Sequence, residues 1–208
     1  MAKHITTSNQ EGGIHKALEY FGVLSSEKVF VSRDYHFNKV KTFHHMMDER
    51  TQEEPKAWDV KGATHRAAFK LEELVEFVRA SSNSEDDFQQ AIGDLHQALD
   101  KASEKVLQKI PAETTIVGQV DALIDTLYFT YGSFVLMGVD PERLFTIVHQ
   151  ANMGKIFPDG KAHFDPVTHK ILKPDDWEEK YAPEPAIKEE LERQIKAYEK
   201  NCGSKEKN

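Results

Sequence analysis

The stretch from Val117 to Met137, read with Ile116 as IVGQVDALIDTLYFTYGSFVLM, limits the fold more than any other part of the chain. Wound as a helix it is apolar on nearly every side, and it contains no Lys, Arg or His. A helix of that kind is expected to be buried. Yet it carries Asp121 and Asp125, whose four-residue spacing places both side chains on one face, one above the other. Unpaired carboxylates in an apolar interior are very costly, and two of them also repel. Such a pair needs counter-charges, a shared proton or a metal ion.

A second acidic helix is predicted over HRAAFKLEELVEFVRA, where Leu71, Leu74, Val75 and Val78 recur at i, i+3, i+4 and i+7. Glu72, Glu73 and Glu76 run beside that apolar stripe. Taken alone, the three glutamates describe a solvated face, because Glu favours helices and is usually exposed. Taken with Asp121 and Asp125, they predict two acidic faces whose oxygens converge on a hard cation, Mg²⁺ or Mn²⁺.

These residues resemble the all-α, MazG-like nucleotide pyrophosphohydrolases, which include phosphoribosyl-ATP pyrophosphohydrolases and dimeric dUTPases. The resemblance rests on the Glu-Glu-x-x-Glu helix and on the second acidic helix. It extends through Asp121–Lys155 to a helix ending His-x-x-Asn-Met-x-Lys, and then through FPDGKAHFDPVTHKILKPDDW, so that roughly Phe37 to Trp177 is covered. The chain departs from the family at one place. The usual second motif is Glu-x-x-Asp, but Ala122 stands three residues before Asp125 and Asp121 is the nearest acid.

The resemblance implies an all-α antiparallel bundle with a carboxylate-lined metal site. Glu73, Glu76, Asp121 and Asp125 would bind Mg²⁺, or Mn²⁺, and Glu72 or Glu73 would accept a proton from the attacking water. It also implies nucleotide contacts from Trp58, Asp59 and Lys61 in the loop ahead of the glutamates. His149, Asn152 and Lys155 lie near the end of a later helix, and there Lys155 is suited to phosphate and Asn152 to sugar or phosphate. The implied substrate is a nucleoside triphosphate cut between its α and β phosphates. The implied assembly is a homodimer or homotetramer, which agrees with a central helix too apolar for one chain to cover.

The 208 residues suit one domain with appendages. We divide them into an N-terminal appendage, 1–33, the pyrophosphohydrolase-like domain, 34–157, and a C-terminal part, 158–208, expected to hold an irregular or hairpin flap, a charged helix from Ala186 to Lys200 and a disordered tail. A short helix is expected within Gly13–Val23, followed by an extended stretch at EKVFVSRD. A single cysteine, Cys202, and the lack of an apolar leader or spanning run predict a cytoplasmic protein with no membrane contact. The formal net charge of −8 argues against long nucleic acid as a partner, but a triphosphate can bind if a cation offsets the charge.

Helices are also predicted for Asp34–Asp48, from Ser84 to Ile110, and from Pro141 to about Lys155. The first contains His44 and His45, which point too far apart to share one ion. Thr64 is the predicted cap of the Glu-rich helix, and Thr114 or Thr115 that of the central one. Gly138 and Asp140-Pro141 specify the turn between the central helix and the next, which should run back antiparallel. No Walker loop, dinucleotide fingerprint or nucleophile elbow is present. A di-iron bundle would need Glu-x-x-His, which the chain lacks. A non-catalytic helical oligomer that senses a nucleotide or metal stays open at this level.

Overall fold

The computed structural model describes residues 32–47, 51–52, 54–109, 116–166 and 170–205. Seven helices follow in order: α1 Tyr35–Met47, α2 Val60–Ser81, α3 Glu85–Leu107, α4 Ile116–Met137, α5 Pro141–Met153, α6 Trp177–Tyr181 and α7 Glu184–Lys205. The fold is all-α. The sole bridge among the described residues is the antiparallel pair Phe164 and Ile171 in the flap. Most of the predicted appendage, with its short helix and extended stretch, lies outside the described residues, as do Ile110, Thr114 and Thr115.

Side-chain caps set several boundaries. Ser84 accepts from the Asp87 amide at 3.1 Å and opens α3. Asp140 accepts from the Glu142 amide at 3.0 Å and opens α5, with Pro141 in its first turn. Gly138 ends α4 at φ +68°, a left-handed conformation that costs glycine little. The cap of α2 differs from expectation. Asp59, not Thr64, accepts from the Gly62 amide at 2.6 Å, so the helix starts at Val60. Gly62 is required for packing as well, since a Cβ there would lie 2.5 Å from the Trp58 ring.

Tertiary packing pairs α1 with α5, α2 with α3, and α5 with α7. The turn at Gly138 deflects α5 by 118° from α4, so the two helices cross obliquely instead of running antiparallel. Among the described residues the buried apolar side chains are Met47, Leu144, Ala151 and Trp177. Trp177 donates its indole N–H to the Ala151 carbonyl at 2.9 Å, which docks α6 under the end of α5. Gly154 leaves room for the Tyr181 ring, which a Cβ would meet at 2.4 Å. On α7 the buried Glu190 accepts two bonds from Arg193, at 2.6 and 2.8 Å, and one from Gln194 at 3.0 Å. Gln194 clasps the Asp140 backbone from both sides, at 2.9 Å each way, and so joins α7 to the start of α5.

The central helix corrects the expectation of burial. None of the residues of α4 is buried within the chain, and Leu136, Val135 and Tyr128 are 90%, 77% and 75% exposed. Its ties to the rest of the chain include the Tyr131 hydroxyl, 2.7 Å from His36 Nδ1 of α1, and Gln119, which clasps the Trp58 backbone at 2.8 and 2.9 Å. No single helix among the described residues is long and apolar enough to cross a membrane. The α7 helix runs from Glu184 to Lys205, longer at both ends than the charged pattern predicts, and only the last three residues of the tail lie outside the described ones.

Candidate active site

Glu72, Glu73 and Glu76 sit midway along α2, exposed beside Leu71 and Leu74, which are themselves about half exposed. Apolar spacing forms the helix, and α3 covers one side of it. The end of α5 and the flap approach at the level of the glutamates. Lys170 of the flap donates to Glu72 Oε1 at 3.2 Å. Lys155, just past α5, donates to Asn152 Oδ1 at 2.8 Å, as their i, i+3 spacing allows. Burial, and then the Lys173 ammonium, hold Lys155 below the usual lysine range, while the charge of Glu73 opposes both. Glu73, Asn152, Lys155, Lys170 and Lys173 therefore belong to one neighbourhood, with Glu72 at its edge.

His149 belongs elsewhere. Burial, followed by the Lys39 ammonium of α1, pushes its imidazole below the usual range, which places it on the α1 side of α5. Asp59 is occupied as the α2 cap. Trp58 has its backbone held by Gln119 and its ring over Gly62, half exposed. Both lie at the start of α2, nearly four turns from Glu72 and level with the start of α4.

Asp121 and Asp125 are exposed on α4, and Asp121 borders an open apolar groove formed by Ile116, Val117, Val120 and Ile124. Helices α2 and α4 do not form a packed pair within the chain. Accordingly, no three acidic, histidine or cysteine side chains among the described residues are arranged to hold a metal ion. The chemistry of the donors suits a hard divalent cation, since all are carboxylate oxygens. What one chain leaves open is their convergence.

Sequence reasoning missed Lys170 and Lys173. Their one signal was the spacing His-Lys-x-x-Lys-Pro in the flap, which periodicity does not connect to a site almost a hundred residues earlier.

The family profile described as phosphoribosyl-ATP pyrophosphohydrolase matches residues 40–152, a span that contains Glu72, Glu73, Glu76, Asp121 and Asp125. The chain belongs to that family. It is therefore a hydrolase acting on nucleotide phosphoanhydrides, as the sequence resemblance implied. A crystal structure from Exiguobacterium sp. 255-15, described as "a putative NTP pyrophosphohydrolase", is similar at 38% identity and a TM-score of 0.73. The match covers 80% of this chain and 99% of that one, so the similarity extends past the profile into the flanking segments. No curated protein matches the chain.

Proposed function

We propose that this pyrophosphohydrolase is Mg²⁺-dependent and cleaves a nucleoside triphosphate between the α and β phosphates, giving a nucleoside monophosphate and pyrophosphate. The observation that carries the reading is the apposition of Glu73 on α2 with the half-buried Lys155, within a family of phosphoanhydride hydrolases. Carboxylates that bind a cation and an ammonium that binds phosphate are the two charge types such a substrate requires.

Glu73, Glu76, Asp121 and Asp125 would hold Mg²⁺, which when bound supplies charge neutralisation at the phosphates. Lys155 binds a phosphate oxygen, and Asn152, already turned toward Lys155, keeps that ammonium oriented. Glu72 accepts the proton of the water that attacks the α phosphorus, and the bond from that phosphorus to the bridging oxygen breaks, so pyrophosphate leaves. Trp58 and Asp59, at the far end of α2, would contact the nucleoside, and His149 would lie on the opposite side of α5.

We infer further that a second copy of the chain covers α4 and brings Asp121 and Asp125 against the glutamates of α2, in a homodimer or homotetramer. The support is the apolar surface that α4 and α2 leave uncovered in one chain, together with the unmet charge requirement of the acids.

Assays of ordinary and deoxy triphosphates with Mg²⁺, with separate detection of pyrophosphate and orthophosphate, test the reaction. Pyrophosphate and monophosphate are expected in equal amounts. Orthophosphate alone, or no product from any triphosphate, would overturn the assignment.

A further inference from the structure

We propose that the flap after α5 supplies the second half of the phosphate site, with Lys170 and Lys173 joining Lys155 around the substrate's terminal phosphates, and that Lys170 leaves Glu72 to do so. The proposal rests on the nucleotide reading above and extends it to two residues outside the family-matched span.

The flap is a closed local structure that can present a side chain reproducibly. The Phe157 amide donates to the Lys161 carbonyl at 2.9 Å, the Asp165 amide to Lys170 at 2.9 Å and the Leu172 amide to His163 at 2.8 Å. His163 stacks on Phe157 with ring centres 4.1 Å apart and meets Asp159 Oδ2 at 2.8 Å. The far end of the flap is fixed by Trp177, whose indole is bonded to Ala151 one residue before Asn152. The Lys173 ammonium lies 3.8 Å above the Trp177 ring and bonds Glu178 at 2.9 Å. Anchored at Ala151, this end of the flap holds Lys173 beside the α5 terminus, while the hairpin delivers Lys170 to α2.

Three ammonium groups thus gather where Glu72 and Glu73 are the nearby acids on α2. Lys155 is half buried within the field of Lys173, and an incoming polyanion offsets the repulsion between the two ammonium groups. The Lys170–Glu72 pair is more than half exposed on both sides, and pairs of that kind contribute only about 0–1 kcal/mol. It is easily exchanged for a doubly charged phosphate, which accepts stronger charge-assisted bonds. The exchange also frees Glu72 when substrate arrives, at the moment its carboxylate is needed as a base.

Binding of inorganic tripolyphosphate, measured by calorimetry with Mg²⁺ present, tests the cradle directly. Lys170→Gln and Lys173→Gln are each expected to weaken binding about tenfold, with a shallower dependence on salt. Lys196→Gln on α7, far along the helix, should bind like the unaltered protein. In turnover, Lys170→Gln and Lys173→Gln should each raise KM more than they lower kcat. Lysine variants that bind tripolyphosphate as tightly as the unaltered protein, or an unaltered protein that does not bind it, would overturn the proposal. The nucleotide reading fails separately: tripolyphosphate binding that depends on Lys170 with no triphosphate hydrolysed removes the reaction and keeps the cradle, while full hydrolysis by both variants at unchanged KM removes only the cradle.

Discussion

The platform of α5, α6 and α7 and the acid-bearing pair α2 and α4 treat their apolar side chains and their acids differently. In the platform, Leu144, Ala151 and Trp177 are buried, and the one buried acid among the described residues, Glu190, is bonded by Arg193 and Gln194 and lies near Arg143. That network pulls the Glu190 carboxyl down to about 2, with Arg193 the largest cause. In the acid pair, no residue of α2 or α4 is buried, and the five acids are not gathered. The platform is complete in one chain, whereas the acid pair is complete only in the assembly proposed above. The difference is one of burial: the buried Glu190 carboxylate ties α7 to its neighbours, whereas the acids of α2 and α4 stay exposed, where the proposed ligand would meet them.

The sharpest break of this comparison is a mixing experiment. Asp125→Asn should lower hydrolysis by at least about a hundredfold, because a metal ligand or its charge is lost. A Glu73→Gln variant should be equally inactive. If α2 and α4 meet between copies, mixed assemblies of the two dead variants restore one intact site, and activity returns to about a quarter of normal in a randomly re-formed dimer. If the acids belong to one chain, mixing restores nothing. Asp125→Asn should also lose most of the Mg²⁺-induced rise in melting temperature, which for the unaltered protein at a hundredfold excess over Kd corresponds to about 2.7 kcal/mol.

Next in size are two substitutions of large aromatics, one from each region. Trp177→Ala removes a buried ring and its hydrogen bond, at a cost of about 3–5 kcal/mol, and should lower the melting temperature at every protein concentration. Phe129→Glu alters a side chain 72% exposed within one chain, so an isolated monomer would feel it by less than about 0.5 kcal/mol. In an assembly the same change should split the oligomer. Sedimentation equilibrium reads this as a fall toward 23.8 kDa, and an unaltered protein already at that mass at micromolar concentration would remove the inference of a covered α4.

The smallest effect concerns Glu190. Its folded pKa of about 2 is below the ordinary value of 4.5, so the unfolded chain binds the proton more readily. The stability it contributes is present above about pH 4.5 and declines as pH falls toward 2. Glu190→Gln should therefore melt lower than the unaltered protein at neutral pH, with the gap closing through that window. A gap that is constant with pH would show that the packing of α7, not the charge network, sets the difference.

Much of the fold is legible because it is written in local chemistry. Ser84, Gly138 and Asp140-Pro141 mark helix boundaries through caps and a left-handed turn that depend on a few neighbouring residues. The start of α2 is misread because DVKGATHR has no apolar rhythm and contains a glycine, so the cap appears five residues late. Glycine is tolerated there because the Trp58 ring needs the space. The short helix at Trp177 lies between two prolines in an acidic stretch and owes its place to one long-range bond to Ala151.

For the site, carboxylate spacing was sufficient to place Asp121 with Asp125 and Glu72, Glu73 and Glu76 on their helices, since one-turn stacking is a property of any α-helix. The same reasoning could not tell which faces meet, because packing between distant segments is decided by how whole surfaces fit. Burial of α4 was inferred from its composition, yet within one chain its neighbours are α1 and the Trp58 loop, which touch it at its edges. The flap shows the same limit. Nothing local distinguishes Lys170 from any solvated lysine, and only the closed hairpin, anchored by Trp177 beneath α5, carries it across the molecule to Glu72. Helical periodicity is set by each segment for itself, while the meeting of charges from α2, α5 and the flap depends on contacts that form only when the chain has folded.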